Sequence, residues 1–340
     1  MIIFAVETSC DETSVCILTK NKEILSHITY TQGEHQKHGG VIPELASRSH
    51  LQILQKITKD ALFESGLDIS EIDIFSATCG PGLIGGLLVG STFTKSLAVG
   101  LNKPFIPINH LEGHLLSSTF NNEIKYPFLS FLLTGGHTQI YLINSIGNYV
   151  LMGETLDDAI GEAFDKVAKL LSMPYPGGPE IEKIAQVGNS FSFNLPEPLQ
   201  KSKSLNFSFS GIKTAINLIV KKQKKIDEKF IADLSASFQY TLSKILNNKI
   251  KIAISVLKKK NIKISQIALV GGVARNNYLR EAIKKNSSDA GFLIITPPEY
   301  MLSDNAAMIG WACIQKLKIN NKSNLYFKAN PRLSIKDMNV

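Results

Sequence analysis

The chain has 340 residues, of which 44% are hydrophobic, and its formal net charge at pH 7 is +8. This length and composition are typical of a globular protein with two domains or two lobes, and the absence of any run of ~18 apolar residues in the sequence excludes a membrane span. The positive charge suits a polyanionic partner such as nucleic acid, although the lysine runs at 221–225 and 258–260 are also explained by solvated helix faces.

Two β-hairpin patterns occur about half a chain apart. Residues 2–6 and 15–18 are short apolar strands around the polar sequence ETSCDETS, and residues 127–133 and 139–143 flank the turn TGGHT. Because the order of strand, small polar turn and strand is repeated, the sequence predicts a duplicated unit.

Between the hairpins, a predicted strand at residues 74–77 leads into the glycine-rich sequence GPGLIGGLLVG, and NHLEGHLL follows. His110 and His114 are four residues apart, so they share one face of a helix. Two imidazoles on one face can bind a transition-metal ion, but two polar residues on a solvated face give the same spacing. An HExxH protease site is not indicated, because Glu112 lies on the face opposite His110.

The second half of the chain alternates helices and strands. The sequence predicts an amphipathic helix at residues 157–171, a Pro-Gly turn and helix at 175–185, a strand at 266–270 and a helix at 277–285. A final helix is expected to start near Asp304. Alternation of this kind predicts the α/β class.

Asp304 is the preferred third metal ligand, because it follows a predicted strand and stands at the start of a helix. Together with Ser303 it also has the composition of an N-cap for that helix. Two histidines and one aspartate would leave coordination positions open, which a reactive metal site requires.

Three glycine turns favour nucleotide binding. The turn at residues 134–138, the pair Gly177-Gly178 and the pair Gly271-Gly272 each offer backbone N–H groups that a phosphate or a nucleoside can approach closely. Each turn taken singly is explained by the conformational freedom of glycine. In a duplicated α/β frame, the three together indicate a nucleotide between two lobes.

Ten motifs occur in the order that is found in one family. They are ETSCDETS, GGVIPELASRSH, GPGLIGGLLVG, NHLEGHLL, LLTGGHTQI, DDAIGEAFDKVAKLL, YPGGP, FSFSGIKTA, LVGGVARNNYLR and SDNAAMIGWA. On these motifs, from about Ile3 to about Tyr326, the chain resembles the bacterial tRNA N6-adenosine threonylcarbamoyltransferase family, formerly described as O-sialoglycoprotein endopeptidases. Two departures are small: TGGHT stands where SGGHT is commoner, and LSDN keeps the aspartate of the more frequent CTDN.

The resemblance implies a duplicated α/β fold of the actin, sugar-kinase and heat-shock-ATPase (ASKHA) type, with two lobes around a nucleotide cleft. We expect an N-terminal lobe at residues 1–125, a C-terminal lobe with a helical insertion at 126–303, and a helix and tail at 304–340 that close the cleft. The resemblance and the unpatterned cysteines also imply a cytoplasmic protein.

The resemblance implies transfer of the threonylcarbamoyl group from threonylcarbamoyl-AMP to the N6 amine of adenosine 37, in tRNAs that read codons beginning with adenine, to form t6A. It implies one divalent metal ion, iron or zinc, on His110, His114 and Asp304, and TsaB-like and TsaE-like protein subunits as partners beside tRNA. The substrate contacts that it implies are Leu132, Leu133, Thr134, Gly135, Gly136, Asp165, Gly178 and Asn276.

Local roles remain open for two of these residues, because Asp165 has the spacing to pair with Lys169 and Asn276 can cap the helix that follows it. Glu12, in the first hairpin turn, is our candidate for the catalytic base. Two other functions fit the same fold. One is an ATP-dependent sugar kinase, and the other is a non-catalytic scaffold that holds a partner through apolar helices.

Overall fold

The computed structural model describes residues 1–319 and 322–338. The strands are β1 (Ile2–Glu7), β2 (Glu12–Thr19), β3 (Ile24–Thr31), β4 (Ile74–Gly80), β5 (Phe105–Asn109), β6 (Phe128–Leu133), β7 (Thr138–Ser145), β8 (Asn148–Glu154), β9 (Gln266–Val270) and β10 (Leu293–Ile295). The helices are α1 (Pro43–Ser65), α2 (Ile84–Gly100), α3 (His110–Ser117), α4 (Ile160–Leu170), α5 (Gly177–Ala185), α6 (Ser210–Lys222), α7 (Glu228–Lys259), α8 (Asn277–Asp289) and α9 (Ala306–Lys318).

The chain divides into two compact units. The first unit comprises Met1–Asn122, Ile146–Tyr149 and the chain from Pro297 onward, and the second comprises Glu123–Ser145 and Val150–Thr296. None of the described helices combines the length and the apolar character that crossing a membrane requires.

The two five-stranded sheets have the same topology. In the first, with the order β3-β2-β1-β4-β5, β1 and β2 form an antiparallel hairpin, and β4 and β5 are added in parallel on the other side of β1. In the second, with the order β8-β7-β6-β9-β10, β6 and β7 form the hairpin, and β9 and β10 are the parallel strands. The predicted duplication and the α/β class are therefore confirmed.

The core of the first unit surrounds its central strands. Every residue of β4 is buried, as expected for a parallel strand that is covered on both faces. The rings of Phe4 and Phe75 are 5.5 Å apart in this core, and Leu54 and Ala61 of α1 belong to the same cluster. This packing holds the carboxyl ends of β1 and β5, where the candidate site begins.

One predicted helix begins later than expected. The pattern at residues 157–171 predicts a helix from Asp157, but α4 starts at Ile160. The Asp157 carboxylate instead accepts hydrogen bonds from the backbone N–H of Phe209 (2.8 Å) and the hydroxyl of Ser210 (2.7 Å). A contact more than 50 residues away in sequence thus fixes Asp157 outside the helix.

Candidate metal centre and glycine turns

The two histidines lie in the first turns of α3, directly after β5. Asn109 caps this helix, because its side-chain oxygen accepts hydrogen bonds from the backbone N–H groups of Leu111 (2.9 Å) and Glu112 (3.3 Å). His110 and His114 therefore stand one helical turn apart, with ring centroids 4.8 Å apart, and both are buried. The solvated-face interpretation of this pair is wrong.

Asp304 lies immediately before α9 and does not cap it. The N-cap is Asn305, whose side-chain oxygen accepts a hydrogen bond from the backbone N–H of Met308 (2.8 Å). The expected cap formed by Ser303 and Asp304 is therefore corrected to Asn305. The Asp304 carboxylate turns towards the histidines instead.

The three side chains converge on one point. Asp304 Oδ1 is 3.0 Å from His114 Nε2 and 3.5 Å from His110 Nε2. One ligand atom from each of the three residues lies within 4.8 Å of the others, so the group can hold a metal ion. Two imidazole nitrogens and one carboxylate oxygen form a donor set that suits zinc or iron and leaves coordination positions open.

Glu7 orients His110 and was not predicted. Its Oε2 lies 3.1 Å from His110 Nδ1, and it also accepts hydrogen bonds from the backbone N–H of Ser9 (2.5 Å) and the hydroxyl of Thr78. A buried carboxylate on Nδ1 fixes the tautomer that presents Nε2 to a metal, as is common around metal-binding histidines. A signal was present in the sequence, since Glu7 is a charged residue that ends the otherwise apolar strand IIFAVE.

The pKa values of the side chains in this cluster depend on the charges of their neighbours. Burial disfavours the imidazolium form of His110, but the carboxylates of Asp304 and Glu7 outweigh burial and raise its pKa. Burial also disfavours the carboxylate of Asp304, yet the two neighbouring imidazoles lower the pKa of that carboxyl. The carboxylates of the buried Glu7 and the partly buried Asp304 thus attract positive charge to this cluster, which fits a divalent cation.

Glu12 is the first residue of β2 and is partly buried. Burial, Asp11 and Asp304 raise the pKa of the Glu12 carboxyl, in decreasing order of effect.

Glu112 points away from this cluster, as its helical position predicts. It is buried, accepts a hydrogen bond from the Tyr149 hydroxyl (2.9 Å) and forms an ion pair with Lys316 of α9 (3.1 Å). The pair connects α3 to α9, the helix that follows Asp304. Glu112 therefore helps to set the relative positions of the ligands and is not a base.

In the second unit, five of the predicted substrate residues form the end of β6 and the β6–β7 turn. Leu132 and Leu133 are buried at the end of β6, and Thr134 leads into the exposed pair Gly135-Gly136. A Cβ atom at either glycine would meet no heavy atom within 4 Å, so their backbone borders open space. This backbone is accessible to a ligand.

Two further glycines allow other elements to approach this turn. A Cβ atom on Gly161, at the start of α4, would lie 2.7 Å from the Gly135 Cα. Gly271, which follows β9, has a φ of +93° and lies against the carbonyl oxygen of Leu133. The turn, the start of α4 and the end of β9 therefore meet in one place.

The remaining predicted contacts also have local partners. Asp165 accepts a hydrogen bond from the backbone N–H of Gly177 (2.8 Å), which ties α4 to the start of α5 beside Gly178. Asn276 caps α8, with its oxygen bonded to the N–H of Leu279 (2.9 Å) and its amide donating to Gln239 (2.6 Å). The capping role of Asn276, which the sequence left open, is confirmed.

Comparison with known proteins gives a consistent result. The family model described as "TsaD: tRNA N6-adenosine threonylcarbamoyltransferase" matches residues 23–311. The chain is 46% identical over 330 residues to the tRNA N6-adenosine threonylcarbamoyltransferase of Wolbachia pipientis wMel, covering 97% of each chain. It is 45% identical over 338 residues to the protein of the same name from Rickettsia bellii (strain OSU 85-389), covering 99% of each.

Solved structures share the fold at low sequence identity. The (R)-2-hydroxyglutaryl-CoA dehydratase component A of Acidaminococcus fermentans is 14% identical, with a TM-score of 0.53 over 94% of this chain and 99% of that one. HypF from T. kodakarensis is 13% identical, with a TM-score of 0.59 over 94% of this chain and 47% of its own. Together with the duplicated sheets, these likenesses show an ASKHA-type fold. The family match over residues 23–311 and the full-length relatives show that the chain belongs to the tRNA N6-adenosine threonylcarbamoyltransferase family.

Proposed function

We propose that this chain transfers the threonylcarbamoyl group of threonylcarbamoyl-AMP to the N6 amine of adenosine 37, in tRNAs that read codons beginning with adenine. Family membership gives the reaction, which forms t6A on tRNA. We propose that the transfer depends on a metal ion because ligand atoms of His110, His114 and Asp304 lie within 4.8 Å of one another.

The reaction requires an activated acyl donor, because the lone pair of the adenine amine is delocalised into the ring. The AMP of the donor is a good leaving group, and the exposed backbone of Gly135 and Gly136 is available to hold its phosphate. We assign contacts with the rest of the adenylate to Leu132, Leu133, Thr134, Asp165, Gly178 and Asn276. The neighbouring turns of the second unit support this assignment.

The metal ion, when bound by His110, His114 and Asp304, would supply Lewis-acid polarisation of the acyl carbonyl. Glu7 holds Nδ1 of His110, so that Nε2 is kept for the ion. Either iron or zinc suits two imidazoles and one carboxylate, and we propose one of these two metals.

We propose Glu12 as the residue that removes the proton from the attacking amine. Burial and the neighbouring acids raise its pKa, and a carboxyl of raised pKa is a stronger proton acceptor when it is ionised. Glu12 begins β2 directly after the turn that carries Ser9, whose hydroxyl lies 3.1 Å from His110 Nδ1, and this position supports the role.

We further propose that the enzyme acts in the cytoplasm together with TsaB-like and TsaE-like subunits, as the family resemblance implies. The alternative, an ATP-dependent sugar kinase of the same fold, is not favoured. The relatives that are about 45% identical over the full chain are transferases by name, and the His-His-Asp cluster is one that a metal-dependent acyl transfer can use.

The test is a transfer assay with the full chain, the candidate partner subunits, threonylcarbamoyl-AMP and transcribed tRNA, scored by nucleoside mass spectrometry. We expect the wild-type chain to form t6A, and His110→Ala to lose both the bound metal and transfer while remaining folded, which its circular dichroism spectrum should show. His27→Gln, which changes a histidine outside the cluster, serves as the control and should transfer normally. Full transfer by a metal-free His110→Ala chain would contradict the proposal.

A further inference from the structure

The positive charge of the chain is concentrated in one region. Residues 201–296, all in the second unit, contain 19 Lys and Arg against 5 Asp and Glu, a balance of +14. The rest of the chain contains 18 Lys and Arg against 24 Asp and Glu, a balance of −6. The net charge of +8 therefore has one source, and this region includes α7 and α8.

Helices α7 and α8 lie side by side. The Asn247 side-chain amide donates a hydrogen bond to the backbone oxygen of Ala282 (3.4 Å), and the Tyr278 side chain lies close to that of Ser243. Both contacts join α7 to a residue 35 positions later in α8. The two helices therefore run alongside each other in the same direction.

Lysines follow the line where the two helices meet. Lys244, Lys251 and Lys258 are exposed and seven residues apart, so they form one stripe on α7, within about 60° of Asn247 around the helix axis. On α8, the exposed Lys285 is three residues beyond Ala282 and hence on a neighbouring position of the same face. We call these four lysines the basic groove; Lys244 is ion-paired with Glu197, so the other three lysines supply its net positive charge.

Aromatic rings lie at one end of the basic groove. Tyr240 contacts Phe191, with ring centroids 5.1 Å apart, and the Lys244 ammonium lies 5.6 Å from the Tyr240 ring centroid. Phe191 is 75% exposed and Tyr278 is 40% exposed. Exposed aromatic rings beside cations form a platform on which nucleic-acid bases stack.

This aromatic end adjoins the candidate substrate residues of the second unit. Tyr278 lies two residues after Asn276, which caps α8. The Asn276 side-chain amide donates a hydrogen bond to Gln239, the residue before Tyr240 in α7. The groove thus runs along α7 and α8 from the neighbourhood of Asn276 towards Lys285 of α8 and the lysine-rich end of α7.

We propose that the basic groove and its aromatic end bind the anticodon stem-loop of tRNA. The lysines contact backbone phosphates, while Phe191, Tyr240 and Tyr278 stack on unpaired bases of the loop, since RNA loops present splayed bases to aromatic side chains. This inference rests on the proposed function, because it takes tRNA to be the substrate.

The first test reverses two charges in the groove. The dissociation constant of a transcribed anticodon stem-loop is measured over a series of salt concentrations for the wild type and for the double variant Lys251→Glu/Lys258→Glu. We expect the double variant to bind at least about tenfold more weakly, and the slope of log affinity against log salt to fall by about two. The matched control is Lys221→Glu/Lys222→Glu at the end of α6, which should change affinity by less than about threefold.

The second test separates stacking from charge. Tyr278→Ala should weaken stem-loop binding by roughly 5- to 150-fold, which corresponds to about 1–3 kcal/mol for one stacked base. Tyr278→Phe keeps the ring and removes only the hydroxyl, so it should bind as tightly as the wild type. Melting temperatures of all the variants are compared, and they should agree because these side chains are exposed.

The outcomes separate the groove from the enzyme function. Three results would each contradict the proposal that the basic groove binds the stem-loop. They are unchanged binding by the groove variants, equal losses in the groove and control variants, and no stem-loop binding by the wild type. A wild-type chain that binds the stem-loop through the groove but forms no t6A would leave the groove standing and overturn the proposed function. If the wild type forms t6A but the groove variants bind the stem-loop as tightly as it does, only the groove proposal is contradicted.

Discussion

Asp304 and Asn305, next to each other before α9, have different roles, and the sequence alone does not show which residue has which role. Asp304 and Asn305 both have side chains that cap helices, but only Asn305 caps, and Asp304 lies 3.0 Å from His114. The shared face of His110 and His114 was predictable from helical geometry. Asp304 was chosen because it follows a predicted strand and because the family resemblance implies it, and its capping role was the open alternative. Glu7 was missed, because its contact with His110 joins positions 103 residues apart.

The role of Glu7 can be measured directly. Glu7→Gln replaces the carboxylate that holds Nδ1 of His110 by an amide of the same size, so the ring loses its charged orienting partner. We expect metal affinity to fall by about 10- to 100-fold, the usual effect of removing such a partner. A competition titration with a chromophoric chelator gives the dissociation constant. Glu34→Gln, an exposed residue, is the control, and equal affinities for the two variants would argue against the role.

His27 predicts a pH dependence of stability. Burial lowers the pKa of His27 from 6.5 to about 4, so the folded chain keeps this imidazole neutral while the unfolded chain binds a proton below about pH 6.5. Stability should therefore fall as the pH drops from 6.5 towards 4. Urea unfolding with chelator present, near pH 7 and near pH 4.5, should show a loss that is about 1–3 kcal/mol larger for the wild type than for His27→Gln. Equal losses of unfolding free energy in the wild type and in His27→Gln would show that His27 does not cause the pH dependence.

At the scale of elements, periodicity predicted most helices and strands but not all of their ends. Hydrophobic spacing reflects burial against a neighbouring layer, and this placed the two hairpins and the strand at residues 266–270. The predicted start of α4 was wrong, because the Asp157 carboxylate accepts a hydrogen bond from the distant residue Phe209. The packing of α3 on α9 was also not predictable, because it depends on the buried pair of Glu112 and Lys316.

This pair predicts a strong effect of a single substitution. Lys316→Met leaves the Glu112 carboxylate buried without its cation, and we expect the free energy of unfolding to fall by about 3–5 kcal/mol. The double variant Glu112→Gln/Lys316→Met removes the charge while Tyr149 still has an acceptor, so it should regain most of that loss. Chemical denaturation of the wild type, Glu112→Gln, Lys316→Met and the double variant measures the coupling. Equal stabilities of the single and double variants would show that the pair is not coupled.

At the scale of the whole molecule, the duplication and the uneven charge have different physical origins. The repeated hairpin pattern follows from burial and turn chemistry, so the sequence alone indicated two sheets of one topology. The concentration of positive charge in residues 201–296 can be counted in the sequence. The alignment of Lys244, Lys251, Lys258 and Lys285 became clear only when α7 and α8 were placed side by side. The lysine runs alone were compatible with solvated helix faces.

We propose that a metal ion held by His110, His114 and Asp304 is required for threonylcarbamoyl transfer to tRNA. The most direct measurement is the initial rate of t6A formation by the wild type and by Asp304→Asn, each after chelation and after reloading with Fe²⁺ or Zn²⁺. We predict that the wild type loses transfer on chelation and regains it on reloading, whereas Asp304→Asn stays inactive in both conditions. Full-rate transfer by the stripped wild type, or reactivation of Asp304→Asn, would contradict the account.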